Sequence, residues 1–104
     1  MANYHDSYRQ AASQNVAYNV AGGASAASSP FGPETYWIRV TAPGVISATS
    51  GVRIKLGDGT PTADAVSTLL PVNWVEYINV TPGQTIAVIS NDAVAGNLSV
   101  TELQ

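Results

Sequence analysis

The chain has no cysteine and a single histidine, His5. The first absence excludes a disulfide framework, thiolate nucleophiles and cysteine-ligated zinc. The second leaves a Ser-His-Asp hydrolase only His5 as its base, in a segment outside the patterned part of the chain, and no such chemistry is expected. Cations are scarce as well. Arg9, Arg39, Arg53 and Lys55 stand against seven acidic residues, for a net charge of −3. Phosphate-backbone binding draws its affinity from several clustered cations, so no nucleic-acid partner is expected. No apolar run nears the roughly 20 residues of a membrane helix. The opening MANYHDSYRQAASQ has neither a basic nor an apolar signal region, so neither a membrane span nor a secretory signal is expected. Charged residues make up 11 % of the chain, against about 25 % in ordinary soluble domains. A surface so poor in charge and rich in Ser, Thr, Asn and Ala suits a protein that works packed against others.

What is present divides in two. The length fits one domain, with residues 1–33 expected as an extended N-terminal arm and residues 34–104 as the β-domain. Residues 21–29, AGGASAASS, contain only Ala, Gly and Ser, with almost no apolar surface to offset ordering entropy. Tyr4 and Tyr8 are spaced for one helical turn between Asp6 and Ser13, too short to stand alone. They read better as contact residues, because tyrosine brings large area at low entropy cost. Val16, Tyr18 and Val20 recur at strand period. Ser29-Pro30-Phe31-Gly32-Pro33 closes the arm as a stiff linker, with Phe31 as a plug for the domain edge.

From Glu34 onward the signals are those of short strands. Residues 35–42 alternate β-branched and aromatic side chains, placing Tyr36, Ile38 and Val40 toward the core and Trp37, Arg39 and Thr41 outward. Residues 45–49 form a further short strand. Ser50-Gly51 bends the chain into Val52, Ile54 and Leu56, which alternate with Arg53 and Lys55, charges that protect an edge. Gly57-Asp58-Gly59-Thr60-Pro61 reads as a tight turn. Residues 62–68 read as a loop with at most one helical turn. Residues 74–103 then read as three strands of an antiparallel meander. Thr81-Pro82-Gly83 forms the first turn, proline fixing φ and glycine accepting a positive one; residues 91–97 form the second. Strand runs at intervals of about 8 to 12 residues predict an all-β fold: a small antiparallel β-sandwich, jelly-roll-like, or a barrel. About 70 residues make a marginal core without disulfide or metal, and oligomerisation is the usual remedy. A homo-oligomer is therefore expected, with Trp37, Arg39, Trp74 and Tyr77 as interface candidates.

The chain offers little to chemistry. Asp58, Asp64, Glu76, Asp92 and Glu102 could converge as a carboxylate pair, but Asp58 and Asp92 sit in turns, where aspartate serves the backbone. Residues 58–64 lack the ligand spacing and terminal glutamate of a calcium loop. Gly57-Asp58-Gly59 leads to proline rather than to a helix and makes no phosphate cradle. No catalytic residue, metal, cofactor or small-molecule substrate is expected. Trp37 and Trp74 could alternatively stack on a sugar ring, as in a carbohydrate-binding module.

Four stretches together carry a resemblance: Pro61-Thr62-Ala63; Leu69-Leu70-Pro71; the run from Glu76-Tyr77-Ile78-Asn79-Val80 through Thr81-Pro82-Gly83 to Ala87-Val88-Ile89; and Val100-Thr101-Glu102-Leu103, with Ile38-Arg39-Val40 as a leading strand. Over about residues 36–103 the chain resembles a group of short virion proteins of tailed bacteriophages. The resemblance implies a small, non-enzymatic β-domain on the virion. Its expected role is a capsid decoration (cement) protein on the capsid surface, made in the bacterial host cytoplasm. Its expected partners are the major capsid protein and copies of itself, as dimer or trimer. In that role the arm clamps capsid subunits, with Tyr4, His5, Tyr8, Arg9, Tyr18 and Phe31 as contact candidates, and several weak contacts add up through avidity. A neck or tail structural protein and a carbohydrate-binding receptor module are the alternatives.

Overall fold

The computed structural model describes residues 9–18, 25–43, 51–91 and 95–104. Among them are eight strands: β1 (Gln10–Tyr18), β2 (Ala26–Ala27), β3 (Trp37–Thr41), β4 (Val52–Gly57), β5 (Thr68–Leu70), β6 (Val75–Asn79), β7 (Thr85–Ser90) and β8 (Gly96–Leu103). They form two four-stranded sheets, ordered β1-β8-β3-β6 and β2-β7-β4-β5, and every pairing is antiparallel. The strands pair first with last, second with seventh, third with sixth and fourth with fifth. That is a long hairpin rolled over on itself, the two interlocked Greek keys of a jelly roll. Both sheets keep open edges, so the sandwich is realised and the barrel is not.

Alternation explains the layers. Ile38 and Val40 of β3, Val52 and Ile54 of β4, Ile86 and Val88 of β7 and Leu98 and Val100 of β8 all point inward into one cluster. The intervening Trp37, Arg39, Arg53 and Lys55 stay on the outer faces. The Thr81-Pro82-Gly83 turn forms as expected: Gly83 has φ 86° and the Gln84 N–H donates to the Thr81 carbonyl at 3.1 Å. Gly51, at φ 86°, is equally constrained, because a Cβ there would run into the Leu70 carbonyl and lie 2.9 Å from Pro71 Cα.

Several expectations require correction. The described part of residues 1–33 is not an extended arm. β1 is an edge strand of one sheet, in register from Ser13↔Thr101 to Tyr18↔Gly96, and β2 adds to the other. Val16, Tyr18 and Phe31 are core residues. The physical reason is that β7 and β8 have unpaired edges only these segments can satisfy, which outweighs their poor intrinsic patterning. Residues 10–13 are strand, not helical turn. Residues 74–103 are not a meander: β6 and β8 lie in one sheet, separated by β3, and β7 lies in the other. The turns after β6 and β7 therefore cross between sheets, letting each strand bury its apolar face against the opposite layer. Tyr36, expected inside, is 57 % exposed, because β3 begins only at Trp37. β5 (Thr68–Leu70) forms where no strand was expected. The strand expected at residues 45–49 lies outside the described residues.

A polar clasp closes the end of the sandwich. Glu102 points inward from β8 opposite Ile38 and is 5 % exposed. Its Oε1 accepts from the Gly32 N–H at 2.9 Å and from Thr35 Oγ1 at 2.5 Å, and Gln104 Nε2 donates to Thr35 Oγ1. The carboxylate thereby orders residues 32–35, which carry Phe31 into the core. Phe31 is further held by two backbone bonds, its N–H to the Gln84 carbonyl and its carbonyl from the Gly83 N–H.

If the N-terminal segment is integral to the fold, Phe31→Ala costs about 3–5 kcal/mol, a large share of a small domain's stability. Urea unfolding followed by tryptophan fluorescence checks this. A midpoint unchanged from the parent would mean that Phe31 is a dispensable plug.

Candidate functional site

Strand register gathers three exposed side chains. In the β3–β6 pair, Trp37 opposes Asn79, Arg39 opposes Tyr77 and Thr41 opposes Val75. These six share the outer face, because directly opposed residues of an antiparallel pair point the same way. Tyr77 is 59 % exposed, Trp37 36 % and Val75 37 %. Arg39 is half-buried between neighbours. Across β8 and β1 the same face continues as Leu103, Thr101, Ser99, Ser13 and Asn15. Ser13 and Thr101 bond to each other at 3.2 Å, so this part of the face is small and self-satisfied. The apolar and cationic character is concentrated on the β3–β6 side.

Of the four interface candidates, the fold brings Trp37, Arg39 and Tyr77 onto one face. Trp74, 54 % exposed, precedes β6 and falls beyond the last paired position. The arm candidates do not converge. Tyr18 and Phe31 are 3 % exposed and belong to the core, so neither can meet a partner, since each completes the packing between the sheets. Arg9 exchanges two backbone hydrogen bonds with Gln104 at the end of the β1–β8 ladder. Tyr4, His5 and Tyr8 lie outside the described residues. Tyr36, one residue before Trp37, is exposed ahead of the strand. The Pro33 turn before it was the available signal, since an inward alternation cannot start until the strand does.

A second surface is the gap between the open edges β5 and β6. It is a groove of about 460 Å³ with Ile54, Leu56, Leu70 and Ile78 along it and Lys55, Asp64 and Glu76 among its polar residues. Asp64 is engaged locally: its Oδ1 accepts from the Val66 N–H and Ser67 Oγ, fixing the loop before β5. Glu102 is held in the clasp. Arg53 is likewise occupied, bonding Asn91 Oδ1 and the Ser67 carbonyl. Of the five carboxylates weighed as an acid–base pair, Asp92 lies outside the described residues. Among the described residues no cluster of three or more metal-ligating side chains forms, and no buried polar side-chain atom lacks a partner.

No family model, curated protein or solved structure matches this chain. Fold and surface define a class: a small jelly-roll sandwich with an aromatic and arginine-bearing outer face. A fold of this kind does not by itself fix function.

Because Tyr77 projects from an edge strand into solvent, Tyr77→Ala changes stability by no more than about 1 kcal/mol. Thermal unfolding at low protein concentration checks this. A loss comparable to a core truncation would make the residue structural rather than a contact.

Proposed function

We propose that this chain is a non-enzymatic structural protein of a tailed-phage particle, a capsid decoration protein that binds the major capsid protein and copies of itself on the shell surface. The observation that carries the reading is the alignment of Trp37, Arg39 and Tyr77 on one exposed face of a rigid sandwich. Aromatic residues and arginine are the types enriched where interfaces concentrate their binding energy. The phage-like pattern over residues 36–103 and the low surface charge support the same role. Jelly rolls recur among viral capsid domains, an association at the level of fold only. The contact role now rests on the β3–β6 face, with Tyr4, His5 and Tyr8 retained as arm contacts, because β1, β2 and Phe31 serve the fold.

A second reading keeps one observation of its own. Neither tryptophan belongs to the buried core, and a half-exposed Trp74 can stack on a sugar ring. In that reading the chain is a carbohydrate-binding receptor module, and a glycan array with a Trp74→Ala control separates the two. A neck or tail protein would use the same face in a ring.

Copy number per particle decides the location. Quantitative mass spectrometry of purified virions should give on the order of hundreds of copies for a shell protein, against on the order of six or twelve for a ring, by symmetry. Particles lacking the protein should lose infectivity faster on heating, and adding back the purified chain should restore resistance. Ring-level copies with unchanged heat resistance would overturn the decoration role.

A further inference from the structure

We propose that two copies of this chain pair edge to edge through β6, antiparallel about a two-fold axis at Tyr77. The dimer joins two four-stranded sheets into one continuous eight-stranded sheet. The inference sharpens the self-association in the preceding reading, but it rests on strand geometry and holds whatever the particle location.

The Val80 N–H donates to the Tyr36 carbonyl at 2.8 Å. In an antiparallel ladder the bonding direction alternates residue by residue, so Glu76 and Ile78 direct their backbone groups toward β3. Val75, Tyr77 and Asn79 direct theirs away, over the open edge, where β6 has no neighbouring strand among the described residues. Three N–H and three C=O groups thus form a template for another strand.

The other edges are managed. β2 has two residues and β5 three. β1 carries a register irregularity between Gln10 and Ser13, is bonded alongside the β2 segment through Gln14 and Ser29, and presents only small side chains, Ser13, Asn15 and Ala17, on the outer face of its regular part. β6 is regular, contains no proline or lysine, and is flanked by exposed apolar surface from Trp74, Val75, Tyr77 and Trp37.

The occupant follows from self-complementarity. With the axis at Tyr77, Tyr77 faces its own copy as a hydrogen-bonded pair and Val75 faces Asn79 of the other copy. All three outward residues of each strand then bond, and Glu76 faces Ile78 of the second copy rather than another carboxylate. An axis at Glu76 would set two carboxylates opposite one another, which is destabilising. An axis at Ile78 would leave Val75 unpaired. On the outer face the central row runs Arg39, Tyr77, Tyr77, Arg39: an aromatic pair flanked by guanidinium groups, the arrangement that favours ring–ring and cation–π contact. Two five-residue edges make a small interface, so the dimer is reversible and concentration-dependent in solution. A two-fold edge contact closes on itself, which selects the dimer over the trimer.

The test uses the full chain, which has no native cysteine. Sedimentation across a concentration series should show reversible passage from 10.8 kDa to about twice that mass, and Tyr77→Lys should abolish it while Val66→Lys, on an exposed loop, should not. Under mild oxidation Tyr77→Cys should cross-link at least about tenfold faster than Glu76→Cys. Hydrogen-bonded cross-strand pairs sit about 5.5 Å apart at Cα, within disulfide reach, whereas the diagonal pair is about 8 Å away. A wild-type chain that stays monomeric at several hundred micromolar, a Tyr77→Lys chain that still dimerises, or faster cross-linking at position 76 would each overturn the inference. A dimer that fails to bind particles removes the decoration role and leaves this pairing intact; a monomer that decorates particles does the reverse.

Discussion

The structure depends on β8. It lies between β1 and β3, so its backbone groups are bonded on both sides, and its Leu98 and Val100 side chains are fully buried. The rest of its sheet is placed by it. β3 takes its register from β8, β6 takes its register from β3, and the exposed face is the far consequence of that order. The same strand carries Glu102, which turns a potentially costly buried carboxylate into a clasp by accepting from Gly32 and Thr35. A buried charge is tolerable only when it is so engaged. The dependence joins the two ends of the chain, since Ser13 and Thr101 meet across 88 positions. Such pairings carry a large loop-closure cost, and folding is expected to be slow for the size of the domain.

Local chemistry was legible in the sequence and long-range partnership was not. The alternation of Val52, Ile54 and Leu56 with Arg53 and Lys55, the inward Ile38 and Val40, and the positive φ at Gly83 all follow from residue type and neighbours. The all-β sandwich class followed from those. Most of what failed required knowing which strand pairs with which; Tyr36, placed inward by alternation, and the missed β5 are local exceptions. Residues 74–103 look like a meander because consecutive strands usually pair, yet β6 and β7 belong to different layers. Residues 1–33 look like an arm because Ala, Gly and Ser offer little pattern. Within them β1 and β2 are placed by bonding the edges of β8 and β7, a property of other parts of the chain. The candidate face was half legible: Trp37 and Arg39 were placed outward by alternation, but their adjacency to Tyr77 is set by the β3–β6 register.

The exposed surface divides along the same line. The described part of the N-terminal segment, with least pattern, completes the frame through β1 and β2, and the patterned strands β3 and β6 carry the exposed aromatic, arginine-bearing face. Among the described residues β6 is the regular open edge beside that face. Among the described carboxylates Asp64 fixes the loop before β5, Glu102 forms the clasp and Glu76 lies beside the groove.

The account stands most directly on which parts of the backbone are locked and which are open, and residue-resolved amide exchange of the intact chain at low concentration reads both. The N–H groups of Gln14, Val16 and Tyr18 should exchange only with global unfolding, as slowly as those of Leu98 and Val100. Those of Val75, Tyr77 and Asn79 should exchange orders of magnitude faster. Fast exchange across Gln14 to Tyr18, with the N–H groups of Ser99, Thr101 and Leu103 still protected against β3, as a detached arm would give, would contradict it.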